Sequence, residues 1–406
     1  MSNRFKFLVL SVSILIAAFA IAGGLNVHAS ADKSDGAYKE IGVYSEVLSR
    51  IRSEYVEDPN LPKVTSGALH GLLESLDPNS SYLDPQEFKA YKDRKINAKG
   101  DIGATVSKRF GYAYIVSVVP NSPADKLGIE DGDIIEAIGT KTTREMSLEA
   151  IRNLLAGAPG SNVDLAVVRS RRAEPQKFVI TRAAISLPAV SEKMLEGGIG
   201  YVRVEALNSG KAQEIASRIK ELEHQGAKKL ILDVRDCSEG LASEGIATAN
   251  LFLDHGEITY LTGQKFARQD FNAAAQKAVT KLPLVVLVNA GTAGAAEIVA
   301  SAVLDNARGD VLGEKTFGDD SVQKLIEIPD GAALVLSVAK YYTPAGKPIQ
   351  DNSAPCTSCG VMPNIEVTAA PVDETDDNIQ TQEQRYASQP DEQLQRAIQV
   401  LKNKAS

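Results

Sequence analysis

The sequence predicts a multidomain mixed α/β protein, and three observations carry that expectation. Residues 38–91 have a helical apolar period, with Ile41, Val47, Leu48 and Ile51 in one stripe and Leu69, Leu72, Leu73 and Leu76 in another. From Gly100 the period shortens and short apolar runs alternate with Gly/Pro turns, the mark of a compact β-rich unit. After Leu187-Pro188, nearly continuous apolar runs of strand length alternate with helical segments, which implies an α/β layer with a doubly covered sheet. At 406 residues the chain is long enough for two or three domains of about 100–200 residues each.

The elements follow in order. Asp77-Pro78-Asn79 breaks the second helical stripe, and Asp84-Pro85 can start a further short helix. In the β-rich unit, residues 113–119 and 134–138 read as strands. They are separated by the turns Pro120-Asn121-Ser122-Pro123 and 128–133. Residues 147–156 form a helix with Leu148, Ile151 and Leu155 on one face, and 163–168 and 178–182 are further strands. In the α/β part, strands are expected at 199–204, 229–234, 284–288, about 310–313 and 333–338. Helices are expected at 210–224, 242–253 and 294–307, with a last one at 391–402 after an acidic stretch. The resulting segmentation is 1–31, 38–95, 100–186, 187–368 and 369–406.

The N-terminus reads as a targeting segment. Arg4 and Lys6 precede an apolar run over residues 7–22, followed by small-residue cleavage patterns at 27–29 or 29–31. The alternatives are a cleaved signal peptide and an uncleaved anchor; either exports the body of the chain to the periplasm or cell envelope. Membrane association is expected only through this segment. The net charge of −8 gives no nucleic-acid footprint. Cys356 and Cys359 sit in a Pro/Ser-rich loop, where an oxidising compartment favours a local disulfide. Cys237 is left over as a small buried hydrophobe. The four His are scattered, so no metal site is expected, and no cofactor motif is present.

Several segments, taken in order, resemble the C-terminal processing peptidases, or tail-specific proteases. They are Leu76-Asp77-Pro78 with residues 80–85; Ser122-Pro123-Ala124 with Leu127-Gly128-Ile129 and Gly132-Asp133; and Val288-Asn289 with Glu297-Ile298-Val299 and Asp305-Asn306. The rest are residues 313–318 with Ser321-Val322-Gln323, and finally 341–344 and 363–367. The resemblance implies an N-terminal helical region (38–95), a PDZ domain (100–186), a crotonase-like α/β peptidase core (187–368) and a polar tail with a terminal helix (369–406). It also implies a serine nucleophile activated by a lysine base, with backbone N–H groups holding the oxyanion.

The same alignment removes the chemistry. The family's nucleophile segment, Gly-Ser-Ala-Ser-Ala-Ser-Glu, is here residues 291–297, so the reacting position is Gly294. The base segment, Gly-Lys-Gly-Ser-Val-Gln, is here 318–323, so the base position is Asp319, with Gln323 matching the glutamine that supports the lysine. The oxyanion loop, Asn-Pro-Gly-Gly in the family, is Cys237-Ser238-Glu239-Gly240. The expected function is therefore a catalytically degenerate homologue that binds protein or peptide C-termini, alone, as a homo-oligomer or beside an active paralogue. Carboxylate capture is expected at Gly100, Asp101, Ile102 and Gly103, with strand addition along residues 104–107 and Leu148, Ile151 and Leu155 as the opposite wall. The rival is an active endopeptidase with Thr292 or Ser301 as nucleophile and Lys315 as base. Water activation by Asp319 and a thiol-disulfide role for Cys356 and Cys359 stand behind it.

Overall fold

The computed structural model describes residues 35–97, 99–109, 111–169, 174–350, 359–369, 381, 384 and 390–404. The candidate leader and Cys356 lie outside the described residues. No helix among the described residues is long and apolar enough to cross a membrane. The chain divides into two units, Met1–Gly67 and Ala68–Ser406. The first contains α1 (Asp35–Glu54) and the start of α2 (Leu61–Glu74). The apolar stripe expected on α1 is not covered within this unit: Ile41 is 62% and Val47 50% exposed.

The second unit opens with the end of α2, strand β1 (Ser81–Leu83) and α3 (Pro85–Asn97). The β-rich part follows as β2 (Ala104–Arg109), β3 (Tyr112–Val118), α4 (Pro123–Lys126), β4 (Ile134–Ile138), β5 (Lys141–Thr142), α5 (Leu148–Leu155), β6 (Asn162–Val168) and β7 (Gln176–Thr181). Its antiparallel sheet has the order β2-β3-β4-β6-β7, with β5 paired to β4. Strand β2 ends the sheet, so one of its edges has no strand partner within it. Ser147 caps α5 by accepting from the Ala150 N–H at 3.2 Å, as a Ser before an apolar helical period should. The core of this sheet is Ile102, Ile115, Ile135, Leu148, Ile151, Leu165 and Ile180, all buried.

The α/β part comprises β8 (Ser191–Leu195), β9 (Ile199–Arg203), β10 (Ala206–Leu207), α6 (Lys211–His224), β11 (Lys229–Asp233), β12 (Glu239–Gly240) and α7 (Ala242–Phe252). It continues with β13 (Glu257–Thr262), β14 (Gln269–Asn272), β15 (Leu284–Val288), α8 (Ala295–Asp305), β16 (Asp310–Gly313), β17 (Ser321–Glu327), β18 (Ala333–Tyr342), β19 (Ile365–Glu366) and α9 (Glu392–Asn403). The main sheet has the order β19-β16-β15-β11-β9-β8 and is parallel except for β8. Alternate residues of β11 enter opposite layers. Leu230 and Leu232 pack with Ile215, Ile219 and Val299 of α6 and α8, while Ile231 packs with Ala397 and Leu401 of α9. A second, antiparallel sheet of order β1-β18-β13-β14, with β17 also on β18, ties the N-terminal strand to the α/β part.

Among the described residues, the strands β1, β5, β8, β10, β12, β13, β14, β17 and β19 were not expected from the sequence; most are short, and Ser191–Leu195 and Gln269–Asn272 carry too few apolar residues to show a period. The last helix is not merely part of a polar tail. Its Ala397 and Leu401 are fully buried against the sheet, and Asp391 caps its first turn. Leu401→Ala is therefore expected to cost about 2–5 kcal/mol. Gln399→Ala, on the exposed side of the same helix, should shift the urea midpoint by less than about 0.5 kcal/mol-equivalent.

Candidate functional site

Strand β15 delivers the chain to a tight turn before α8. Asn289 anchors it: its Oδ1 accepts from the Asp236 N–H at 2.9 Å and the Gly291 N–H at 3.1 Å. The Ala293 N–H donates to the Cys237 carbonyl at 3.0 Å, tying the turn to the loop before β12. Gly294 then adopts φ 58°, ψ −122°, and helix α8 begins at the next residue. An L-residue reaches that φ only with strain of about 1–3 kcal/mol. Space is not the obstacle, because a Cβ on Gly294 would meet nothing nearer than the Asp319 carbonyl oxygen at 3.5 Å.

The turn and the loop carrying Asp319 are joined by one buried carboxylate. Glu297, in the first turn of α8 and fully buried, accepts from the Gly294 N–H (3.0 Å), the Gly318 N–H (2.8 Å) and the Asp319 N–H (3.0 Å). The Thr316 hydroxyl is a fourth donor. Burial pushes the Glu297 carboxyl up to about 7 against the pull of these donors. The Asp319 carboxylate is half-buried and accepts from the Asn79 amide at 2.5 Å. Burial raises it too, with the Asn79 donor acting the other way. Asp320 is buried, its Oδ2 has no hydrogen-bond partner, and burial raises it well above the usual carboxylate range, helped by the charges of Glu297 and Asp319.

Three acids thus converge where the aligned base would stand. Neither a hydroxyl, a thiol nor an amine projects from position 294 or 319. Gln323 is exposed on β17 and donates to the Ser321 hydroxyl at 2.7 Å. Asn79, read from sequence only as part of a helix break, is the side chain that reaches position 319. Asp77 positions it by accepting from the N–H groups of Asn79 and Ser80, both at 2.8 Å.

A cavity of about 580 Å³ runs from the PDZ-like sheet to this centre. Ala104, Thr105 and Val106 of the unpaired β2 edge line it on one side, and Asp319, Ala293 and Ser238–Gly240 line its far end. The loop 100–103 opens onto it through Asp101 and Gly103. Of the helix residues expected to form the opposite wall, only Leu155 lines the cavity. Leu148 and Ile151, like Ile102, are buried in the core of the sheet, because their period faces inward. The wall is made instead by Glu149 and Arg152, with Arg94 and Lys95 of α3. Arg94 bonds Glu149 at 2.5 Å, and Arg152 bonds Glu149 at 2.9 Å and the Val106 carbonyl at 3.3 Å.

A hydroxyl chain links the β2 edge to the loop before β12. Ser238 donates to Thr105 at 2.7 Å, Thr105 to the Glu239 carboxylate at 2.8 Å, and Ser117 shares a hydrogen bond with Ser238. Glu239 thus stands at the cavity wall, as the alignment places it. Gly240 is required there, since a Cβ would lie 2.8 Å from the Leu207 Cβ and 2.9 Å from the Leu207 carbonyl oxygen. On the other side of β3, Tyr114 stacks on Phe317 with centroids 5.9 Å apart, and Arg109 lies over both rings.

The substitute nucleophiles are engaged elsewhere. Thr292 is fully buried, donates to the Val234 carbonyl at 2.8 Å and accepts from the Asn289 N–H at 3.0 Å. Ser301 is buried inside α8 and donates to the Ile298 carbonyl at 3.2 Å. Lys315 is not among the residues lining the cavity. Cys237 is a free, buried thiol pushed up by burial, packed in the core as a small hydrophobe. Cys359 is disulfide-bonded.

These acids give a pH signature with a definite sign. Folded-state values raised above the unfolded 4.5 of Glu297 and 3.8 of Asp320 mean the folded state holds protons more tightly. The stability this gives is complete below those unfolded values and is lost as pH rises through the folded ones. Urea midpoints should therefore fall from about pH 5 to about pH 8. Asp320→Asn, which removes the buried charge beside Glu297 and Asp319, should reduce that fall and leave the variant more stable than the parent protein at the upper pH. Glu297→Ala, by contrast, should destabilise by at least about 3 kcal/mol, because four donors lose their acceptor.

The sequence and fold have known relatives. Residues 198–367 match the model of peptidase family S41, and residues 114–169 match a PDZ domain. The chain is 31% identical to a carboxy-terminal-processing protease of Bartonella bacilliformis over 88% of this chain and 80% of that protein. It is 33% identical to a carboxy-terminal processing protease of Bacillus subtilis over 84% of this chain and 73% of that one. Among solved structures it is similar to the photosystem II D1 C-terminal processing protease, with a TM-score of 0.66, 26% identity, and 80% and 86% of the two chains covered. The β2-edged antiparallel sheet is thus a PDZ domain docked on a serine peptidase fold, and the chain belongs to the C-terminal processing proteases of peptidase family S41.

Proposed function

We propose that this protein is an exported pseudopeptidase that binds polypeptide chains in the cell envelope without cutting them. The observation that carries the reading is Gly294, a residue with no side chain at the turn aligned with the reacting serine, facing Asp319 where the family has lysine. Nucleophile and base act as a unit, so removing the hydroxyl alone costs several orders of magnitude in rate. What remains is a cleft suited to holding an extended chain along the β2 edge. The leader-like residues 1–31 support export, and pairing with an active paralogue or a second copy fits a binding role.

The rival reading, a working endopeptidase with a relocated nucleophile, is favoured by one specific feature. Ser238 lines the cavity, and its hydroxyl connects through Thr105 to the Glu239 carboxylate. That chain ends on an acid rather than on a neutral amine, and it bridges two domains, a role that needs no chemistry.

One experiment separates the two. The purified protein is incubated with an unfolded, apolar-tailed substrate and with a serine-directed phosphonate. No cleavage above background and no adduct are expected. Gly294→Ser combined with Asp319→Lys should gain measurable cleavage, limited by the strain at φ 58° and by the amide of Asn79 facing the new amine. Cleavage by the unmodified protein, or a phosphonate mapped to Ser238, would sink the proposal.

A further inference from the structure

We propose that the PDZ groove of this protein admits an internal extended segment rather than a free C-terminus, because the Asp101 carboxylate already sits in the loop that would hold a terminal carboxylate and takes the Gly103 amide there. The inference rests on the reading that the cleft receives polypeptide, and it specifies which part of the chain enters.

A PDZ domain holds a chain end by two devices, strand addition along β2 and capture of the carboxylate in a nest of backbone N–H groups before that strand. In this protein three of the four loop amides, those of Gly100, Asp101 and Gly103, already have an acceptor. The Gly100 N–H donates to the Gly157 carbonyl and the Asp101 N–H to the Ala183 carbonyl, both at 2.9 Å. The Gly103 N–H donates to Asp101 Oδ1 at 2.9 Å. The chain's own carboxylate thus takes the place of the ligand's.

The acids nearest the loop work in the same direction, while Arg94, Lys95 and Arg152 line the helical wall of the cavity. Asp101 faces the field of Glu239, so an incoming terminal carboxylate would meet two negative charges at the cavity wall. Arg182 is the cation near Asp101, and its guanidinium is committed elsewhere. Nε donates to the Leu155 carbonyl at 2.8 Å, Nη1 to the Ser161 hydroxyl and Asn162 carbonyl at 2.9 Å, and Nη2 to the Leu154 carbonyl at 2.6 Å. The β2 edge itself carries no such obstruction at its start, where Ala104 and Thr105 line the cavity. An internal segment brings peptide N–H and C=O groups to that edge and no anion to the loop.

The test is calorimetric titration of the full chain with one apolar-tailed peptide in two forms, the free acid and the C-terminal amide. The amide stands in for a chain that continues. The parent protein should bind the acid no more tightly than the amide. Asp101→Gly empties the nest and should shift the ratio about tenfold or more toward the acid. Asp101→Asn keeps an acceptor for the Gly103 amide while removing the charge, so it should shift the ratio less than Asp101→Gly does. Tighter binding of the acid by the parent protein overturns the inference, as does a ratio that Asp101→Gly leaves unchanged, and in both cases polypeptide binding itself stands. Binding of neither form by any of the three proteins removes the binding reading and takes this inference with it.

Discussion

The geometry of the centre depends on a single buried carboxylate. Glu297 accepts three backbone N–H groups from two separate segments, the turn at Gly294 and the loop at Gly318 and Asp319, together with the Thr316 hydroxyl. Four donors to one fully buried acid make a strong local clasp, since each would be costly to leave unpaired in a dry interior. The clasp fixes positions 294 and 319 against each other whatever side chains they carry. The contacts that place these two positions are made by backbone and by Glu297, and so do not depend on the side chains at 294 and 319.

The acidic surroundings follow from that frame. A lysine at position 319 would place a cation beside Glu297 and Asp320. With aspartate there instead, three carboxyl groups share a buried region, with Asn79 as a neutral donor to one of them. Like charges in low dielectric raise one another's proton affinity, so the region holds protons more tightly than exposed acids do. The substitution changes the electrostatics of the whole pocket, beyond the loss of one base.

The PDZ domain has a frame of its own. Its sheet, its core and the unpaired β2 edge are intact, and the hydroxyl chain through Thr105 and Ser238 ties that edge to the core domain. The cleft between the two is continuous, so whatever lies along β2 also passes Glu239 and Asp319. Arg152 crosses from α5 to the Val106 carbonyl and narrows the same passage. The β2 edge, Asp101, Glu239 and Asp319 thus line one cavity.

Much of this was written in the sequence. The apolar periods of residues 134–138, 284–288 and 310–313 set their strands to the residue, and Ser147 marked the start of its helix, because burial on one or both faces imposes a strict pattern. That residue 294 is a glycine and residue 319 an aspartate was equally legible, since these are matters of residue identity. Tertiary structure alone decided the rest. Leu148 and Ile151 have the same period as Leu155, and only packing shows that they face the core while Leu155 reaches the cavity. Asn79 lies 240 residues from Asp319 in sequence, and no local signal joins them. Asp101 reads as one more acid until the loop folds and its carboxylate meets the amide of Gly103. A one-dimensional pattern records which residues avoid water; which polar groups satisfy one another is fixed only when distant segments are brought within hydrogen-bonding distance.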